Sequence, residues 1–258
     1  WNAHEEPWFG KVFKDVLTHA TLKGSYSLTG DKPAVTNSQI IIRSTNIWRP
    51  YATDKESGLE VSRFPNPNLT YEKKHELNFG LDLGFFKNRL NLTIDWYTRN
   101  NFDLIGPHTT NATKGALDEY VNVASMRSHG EEFAISSKNF VGKDFQWTTD
   151  FVFSHVTTKV TSLDSRKRII DMITGSGFTK EGYAYRSLFS MDYRGLTSSG
   201  IPTFINENGE LVTSDINFQS YELGNLVYEG PTDPTITGSL GNVFSYKGFH
   251  LNIFATYA

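Results

Sequence analysis

A chain of 258 residues with a net charge of −3 and no cysteine excludes several classes at once. It has no basic field for nucleic acid, no disulfide framework, no thiolate metal site and no cysteine nucleophile. No apolar run reaches the roughly 18 residues that mark a transmembrane helix, but aromatics make up 14% of the chain and favour strands. Because a transmembrane β-strand is half polar, a mean hydropathy of −0.40 leaves a membrane barrel open.

Residues 1–19 read as a surface segment with one helical turn around Val12 to Leu17. Ala20 to Thr29 alternates Ala, Leu, Gly, Tyr and Leu against Thr, Lys and Ser, the pattern of a first strand. A long connection from Gly30 to Lys74 follows, in which residues 39–43 are expected to pair locally. The stretch 76–99 then carries the clearest signal. Leu77, Phe79, Leu81 and Leu83 alternate with Glu76, Asn78, Gly80 and Asp82. After Lys87-Asn88 the apolar set resumes as Leu90, Leu92, Ile94 and Trp96, against Asn91, Thr93, Asp95, Tyr97 and Arg99. A tight turn there sets Phe79 opposite Trp96, Leu81 opposite Ile94, Leu83 opposite Leu92 and Glu76 opposite Arg99. A one-residue slip would mix the faces, so the register is well determined.

A second long connection is expected from Asn100 to about Ser128, then a strand carrying Phe133 and Ile135 and a turn at Val141-Gly142-Lys143. The next strand runs from Phe145 to about Thr157, and a three-residue turn would set Phe133 opposite Phe151. A third connection spans about Thr158 to Thr235, with a short amphipathic helix around Ser165 to Ile173 and a turn at Asn206-Glu207-Asn208-Gly209. The last two strands, from Ile236 to Tyr246 and from Phe249 onward, meet at Lys247-Gly248, with Phe244 opposite Leu251 and Leu240 opposite Ala255.

Joins therefore alternate between very long and very short, as in outer-membrane barrels with long extracellular loops and short periplasmic turns. A soluble sandwich gives the same strand alternation, but structureless loops this long are uncommon in compact soluble domains. The fold expected is all-β, part of a large transmembrane antiparallel barrel with long extracellular loops. Leu77, Phe79, Leu81, Leu83, Leu90, Leu92, Ile94 and Trp96 would then face lipid. Glu76, Asn78, Asp82, Asp95, Tyr97 and Arg99 would line a lumen.

Four phrases carry a family resemblance. NPNLTYEK (66–73) leading into LNFGLD (77–82), NRLNLTIDWY (88–97), LKGSYSLTG (22–30) and YKGFHL (246–251) resemble, in order, stretches of SusC/RagA-type TonB-dependent outer-membrane transporters. Asp31 stands where the family pattern has Asn, and Gly238-Ser239-Leu240-Gly241 replaces a Gly-Gly pair. The resemblance implies that residues 1–258 supply about seven strands of a plugged barrel of about 22, the plug and N-terminal domains lying outside this chain. It implies a multi-pass protein of the Gram-negative outer membrane that imports oligosaccharides or oligopeptides. Its partners would be a SusD-like surface lipoprotein, the TonB complex through segments not in this chain, and outer-membrane lipid or lipopolysaccharide.

Enzyme chemistry does not stand out. The seven histidines show neither an HExxH motif nor paired metal spacing, and no metal or cofactor is expected. Asp82 and Asp95 sit on neighbouring rungs, where lumen hydration or a salt bridge explains them better than acid–base catalysis. Arg166-Lys167-Arg168 reads as a solvated helix face, with contact to lipopolysaccharide or an acidic partner as the other reading. The functional surface is expected in the loops, where Trp48, Arg49 and Tyr51, and Tyr183, Tyr185, Arg186, Tyr193 and Arg194, combine rings with cations suited to stacking and docking. The bland alternative is that these rings pack the loops on one another. Two other functional readings are a soluble β-rich glycan-binding or adhesin domain and a transport-inactive barrel that serves as scaffold.

Overall fold

The computed structural model describes the chain apart from residues 14, 15, 33–38, 49–53, 110, 112, 114–117, 165, 166, 215 and 223. A 3-10 turn (Ala3–Glu5) and α1 (Phe9–Phe13) lead into β1 (Leu17–Asp31), β2 (Ile41–Trp48), β3 (Lys55–Arg63), β4 (Glu72–Phe85) and β5 (Leu90–Thr109). Then come β6 (Asp118–Val141), β7 (Phe145–Leu163), α2 (Ile169–Met172), β8 (Ser187–Met191), β9 (Tyr193–Leu196), β10 (Pro202–Ile205) and β11 (Leu211–Val212). β12 (Leu226–Pro231), β13 (Ile236–Tyr246) and β14 (Phe249–Tyr257) complete the chain. Among the described residues no helix is long and apolar enough to cross a membrane.

One antiparallel sheet of seven strands, in the order β1-β4-β5-β6-β7-β13-β14, holds the molecule together. Its rungs show why these sequences pair. One runs Ala20, Leu83, Leu92, Ile135, Phe151, Leu240, Ala255 across all seven strands. The adjacent rung on the opposite face runs Thr21, Asp82, Thr93, Ala134, Val152, Ser239, Thr256. Period-two alternation in each strand becomes one apolar and one more polar face because every register matches. The β4–β5 pairs are those expected: Phe79 with Trp96, Leu81 with Ile94, Leu83 with Leu92 and Glu76 with Arg99. So are Phe244 with Leu251 and Leu240 with Ala255 across a turn in which Lys247 (φ 44°) and Gly248 (φ 91°) are both left-handed.

Four expectations need correction. Phe133 pairs with Phe153, and Phe151 with Ile135, because the β6–β7 turn occupies 142–144 and a bulge falls between Lys138 and Phe140. The displacement is two residues, so every side chain keeps its face. The expected loop from Asn100 to Ser128 is mostly strand: β5 runs on to Thr109 and β6 begins already at Asp118, leaving only 110–117 between them. The helical turn near the start is Phe9–Phe13 rather than Val12 to Leu17, and the later helix shortens to Ile169–Met172. β2 and β3 form the local pair foreseen within the first connection.

On the polar face Glu76 is the most enclosed charge in the sheet, 9% exposed. Lys74 Nζ lies 2.6 Å and Arg99 Nε 3.0 Å from its Oε2, and Asn78 Nδ2 donates to its Oε1 at 3.0 Å. The Arg99 guanidinium also lies 4.1 Å from the centre of the Tyr97 ring. Tyr97 can lie flat there because its rung partner is Gly130: a Cβ at that position would sit 2.6 Å from the phenol and 3.0 Å from the His155 carbonyl. Asp82 is ion-paired with Lys23 across β1 and β4.

Replacing Gly130 by Val should displace Tyr97 and loosen the Arg99–Glu76 contact. Overpacking of this kind costs about 1–3 kcal/mol, so the urea midpoint of the refolded full-length barrel should fall. An unchanged midpoint would contradict the close approach of Tyr97.

Candidate functional site

The most deeply buried residues of the chain lie outside the regular part of the sheet. Ile169, Met172 and Ser187 are fully enclosed and Phe189 is 5% exposed, all within the connection between β7 and β13. This segment is folded: β8 pairs with β12, and β9, β10 and β11 form a three-stranded sheet. The β10–β11 join is the expected turn at Asn206–Gly209, closed by Gly209 N–H donating to the Asn206 carbonyl at 3.0 Å. α2 is short and is set by its ends. Asp171 caps it by accepting from the Arg168 backbone N–H at 3.1 Å, while the Arg168 guanidinium donates to the same carboxylate at 2.9 Å. That pairing holds the Asp171 carboxyl below its ordinary range and raises Arg168. Ile169 and Ile170 N–H groups donate to the Ser220 and Phe218 carbonyls, tying the helix to the far side of the segment.

This folded cap rests on the extended ends of β5, β6 and β7. Val160 N–H donates to the Tyr183 carbonyl and Gly182 N–H to the Val160 carbonyl, so the cap continues the β7 ladder beyond the reach of β13. Val160 and its rung partner Met126 belong, by register, to the face that carries Tyr97 and Glu76. Between cap and strands lies a cavity of 850 Å³. Met126, Val160, Phe178 and Tyr185 give it apolar walls; Glu72, Lys167 and Arg186 bring charge. Glu72 Oε1 is engaged by the Ile105 N–H at 2.9 Å and Arg186 Nη1 by Asp233 at 3.2 Å. Lys167 donates to the Thr179 carbonyl, its ammonium lies 4.5 Å from the centre of the Phe178 ring, and burial lowers its pKa to about 8. The cavity is sized and lined for a small amphipathic ligand segment.

The residues singled out from the sequence do not gather in one place. Tyr185 and Arg186 line the cavity, and Tyr185 remains 48% exposed with no ring partner among the described residues. Tyr183 instead packs on Phe189 and Tyr228, at 5.3 Å and 5.0 Å between ring centres, with Lys180 over its face. Tyr193 packs on Phe204 and Arg194 pairs with Asp192 at 2.7 Å. These three therefore follow the alternative in which loop rings and charges hold the loop together. Trp48 is exposed on β2 with Lys55 over its ring at 5.0 Å; Arg49 and Tyr51 lie outside the described residues. Lys167 and Arg168 are not on a helix face, because α2 begins only at Ile169; Arg166 is outside the described residues. Lys167, Phe178, Met126 and Val160 were missed. Val160 sits in a Thr-rich run and Lys167 in a cationic one, where local pattern reads as solvated. Among the described residues no group of three or more His, Asp or Glu could hold a metal ion.

The family profile described as "TonB dependent receptor-like, beta-barrel" matches residues 12–258. Among relatives, TonB-dependent receptor P3 of Formosa agariphila is 28% identical over 272 aligned positions, covering 98% of this chain and 27% of that protein. TonB-dependent receptor P39 of the same organism is 26% identical, covering 89% of this chain and 22% of that protein. Among solved structures, the RagAB peptide importer in the closed-closed state is 26% identical with a TM-score of 0.76, covering 96% of this chain and 28% of that one. The RagAB peptide importer in the open-open state, at 22% identity and a TM-score of 0.72, shows the same fold. The chain thus spans about a quarter of the length of the relatives it matches.

Lys167 gives the cap a pH dependence. The folded cap holds this proton only to about pH 8, whereas an open, hydrated lysine holds it to about 10.5. Between those values the open state binds more protons, so closure strengthens as pH rises and weakens as pH falls toward 8. The urea midpoint for cap opening, followed by a spin label at Ser199→Cys in a cysteine-free full-length barrel, should rise from pH 8 to 10. In Lys167→Met that slope should flatten; an equal slope would remove Lys167 as its source.

Proposed function

The chain belongs to the TonB-dependent receptor-like β-barrel family of the Gram-negative outer membrane, in its SusC/RagA-type branch, and we propose that it forms wall and substrate-facing loops of a TonB-dependent importer. In this reading the face with Leu77, Phe79, Leu81, Leu83, Leu90, Leu92, Ile94 and Trp96 meets lipid. The face with Glu76, Asn78, Asp82, Asp95, Tyr97 and Arg99 meets the lumen. One observation carries it most directly. An aromatic rung of Phe145, Tyr246 and Phe249 stands at the short-turn end, and Phe79 and Trp96 share a rung with His155 toward the other end. Phe145 and His155 are ten positions apart on β7; at about 3.3 Å per residue and a tilt of about 40° the rungs are about 25 Å apart, the height of a barrel's apolar band. The sheet's open edges at β1 and β14 would pair with further strands of the complete barrel.

Short turns lie on the periplasmic side of such barrels, which supports reading the opposite, capped end as extracellular, with the 850 Å³ cavity above the lumen face. Its apolar and aromatic walls suit oligopeptides better than oligosaccharides, and the likeness to the RagAB peptide importer points the same way. A SusD-like surface lipoprotein would close over the cap, and the TonB complex would act through parts of the protein beyond this chain. A soluble sandwich would need a second sheet of comparable size against the first; the other sheets among the described residues have two or three strands. A scaffold barrel is distinguished by uptake.

Three outcomes test this reading. Phe151→Arg, on the rung of Leu83 and Leu92 and six positions from Phe145 on β7, places a cation on the lipid face near its middle at a cost of about 2–4 kcal/mol, and should prevent heat-modifiable assembly; normal assembly would overturn the orientation. In a host deleted for the gene, the wild-type protein should restore uptake of labelled oligopeptides; no restoration would leave the scaffold reading. Tyr185→Ala should raise the half-saturating peptide concentration about five- to tenfold, the loss of one ring stack, with expression unchanged.

A further inference from the structure

On the face assigned to lipid, the rungs change character toward the capped end. Above the apolar rung of Leu81, Ile94, Phe133 and Phe153 comes Phe79, Trp96, Glu131 and His155, then Leu77, Thr98, His129 and Thr157, then His75, Asn100, Arg127 and Lys159. Glu131 and His155 answer each other at 3.4 Å, and His129 Nε2 lies 2.7 Å from the Thr157 hydroxyl. Arg127 and Lys159 differ. They stand directly opposite on one rung, both exposed, and among the described residues neither has a hydrogen-bond or ion-pair partner. Two like charges facing each other on a rung destabilise a sheet, so the pair is arranged for an anion that the chain itself does not supply. Among the described residues, the one acid lining the same depression is Glu181, one of whose oxygens accepts from the Leu163 N–H at 3.3 Å.

The surroundings name the anion's class. Arg127, Lys159 and His129 share a 780 Å³ depression with Trp96 and Thr98, and Glu181 borders it from the cap. Trp96 is four positions before Asn100, the Arg127 rung. At about 3.3 Å per residue and a tilt of about 40°, the cations stand about 10 Å beyond the tryptophan level. Their stems are long enough to reach back toward the interface. A ligand that fills this depression therefore has an anionic headgroup beside the cations and an apolar part continuous with the band below Trp96.

We infer that Arg127 and Lys159 form a binding site for the phosphorylated headgroup of an outer-leaflet glycolipid, with Trp96 at the boundary of its acyl chains. The site rests on the lipid-facing orientation proposed above. It fixes the barrel's depth in the outer leaflet, and it lies on the opposite face from the import cavity, separated from it by the thickness of one sheet.

The test uses the full-length barrel in detergent, titrated with bisphosphorylated lipid A, with the same lipid after removal of its phosphates, and with inorganic phosphate, bound lipid being counted by native mass spectrometry. Each near-surface cation contributes about 1 kcal/mol toward an anionic headgroup, so losing both should weaken binding about 30-fold. Arg127→Ala/Lys159→Ala should therefore lose bisphosphorylated lipid A by about that factor and bind the dephosphorylated lipid as the wild type does. Equal affinity of wild type and double variant for bisphosphorylated lipid A would overturn the site. Full displacement by millimolar inorganic phosphate would overturn the lipid as its source, and loss of a co-purifying lipoprotein with lipid binding unchanged would overturn it in favour of a protein contact. Heat-modifiable migration of the double variant shows that it has assembled. If Phe151→Arg fails to assemble while the double variant binds lipid A normally, the site alone falls; if Phe151→Arg assembles normally, the orientation falls with it.

Discussion

Hydrocarbon offers no hydrogen bonds, so a chain that crosses it must pair its own backbone. For strands this means an unbroken ladder with strict register, and the seven-stranded sheet is that ladder. The rest of the architecture follows. A single sheet has no second layer to enclose a core, so its two faces are distinguished by what lies beyond them. Alternation along each strand is then the only device that sorts side chains, and one mismatched register would send apolar groups to the wrong face of every rung that follows.

With no core inside the sheet, three-dimensional packing moves to the cap. Ile169, Met172, Phe189 and Ser187 give it an interior, and the protruding ends of β5, β6 and β7 serve as its floor. Extending the strands is what makes this floor possible: Met126 and Val160 continue the face of Tyr97 and Glu76 and meet Phe178 and Tyr185 of the cap. The cavity is the gap between a rigid ladder and a folded loop, so its shape depends on how firmly the cap sits. Burial of Lys167, anchored on the Thr179 carbonyl, is part of that seat.

Charge obeys the same geometry. Along the spanning rungs it is confined to the polar face, where Asp82 is paired with Lys23 and Glu76 with Lys74 and Arg99. On the apolar face it begins only at the Trp96 rung, first as the Glu131–His155 pair and then as Arg127 and Lys159. The order of those rungs, apolar, then aromatic with a paired charge, then bare cations, follows the polarity of a bilayer from its interior outward.

The 76–99 hairpin was legible residue by residue, because period-two alternation joined by a short turn leaves one register that keeps apolar opposite apolar. The family was legible too, from phrases that mark these strands. The Phe133 pairing was not, because the turn at 142–144 and the bulge beside Asn139 together move the count by two, which leaves the alternation as it was. Nor was the strand between Asn100 and Ser128: past the apolar band both faces meet polar surroundings, so the ladder continues while its sequence signal fades. The cap was least legible. Tyr183 and Tyr185, two residues apart, look alike in sequence, but one is locked against Phe189 and Tyr228 and the other opens on the cavity. In the 76–99 hairpin, strand and register are set by neighbours within a few residues of the chain, and the sequence determined them. Which cap residues meet Met126 and Val160, and that Arg127 faces Lys159, depend on contacts between distant segments, and only the tertiary structure decided those.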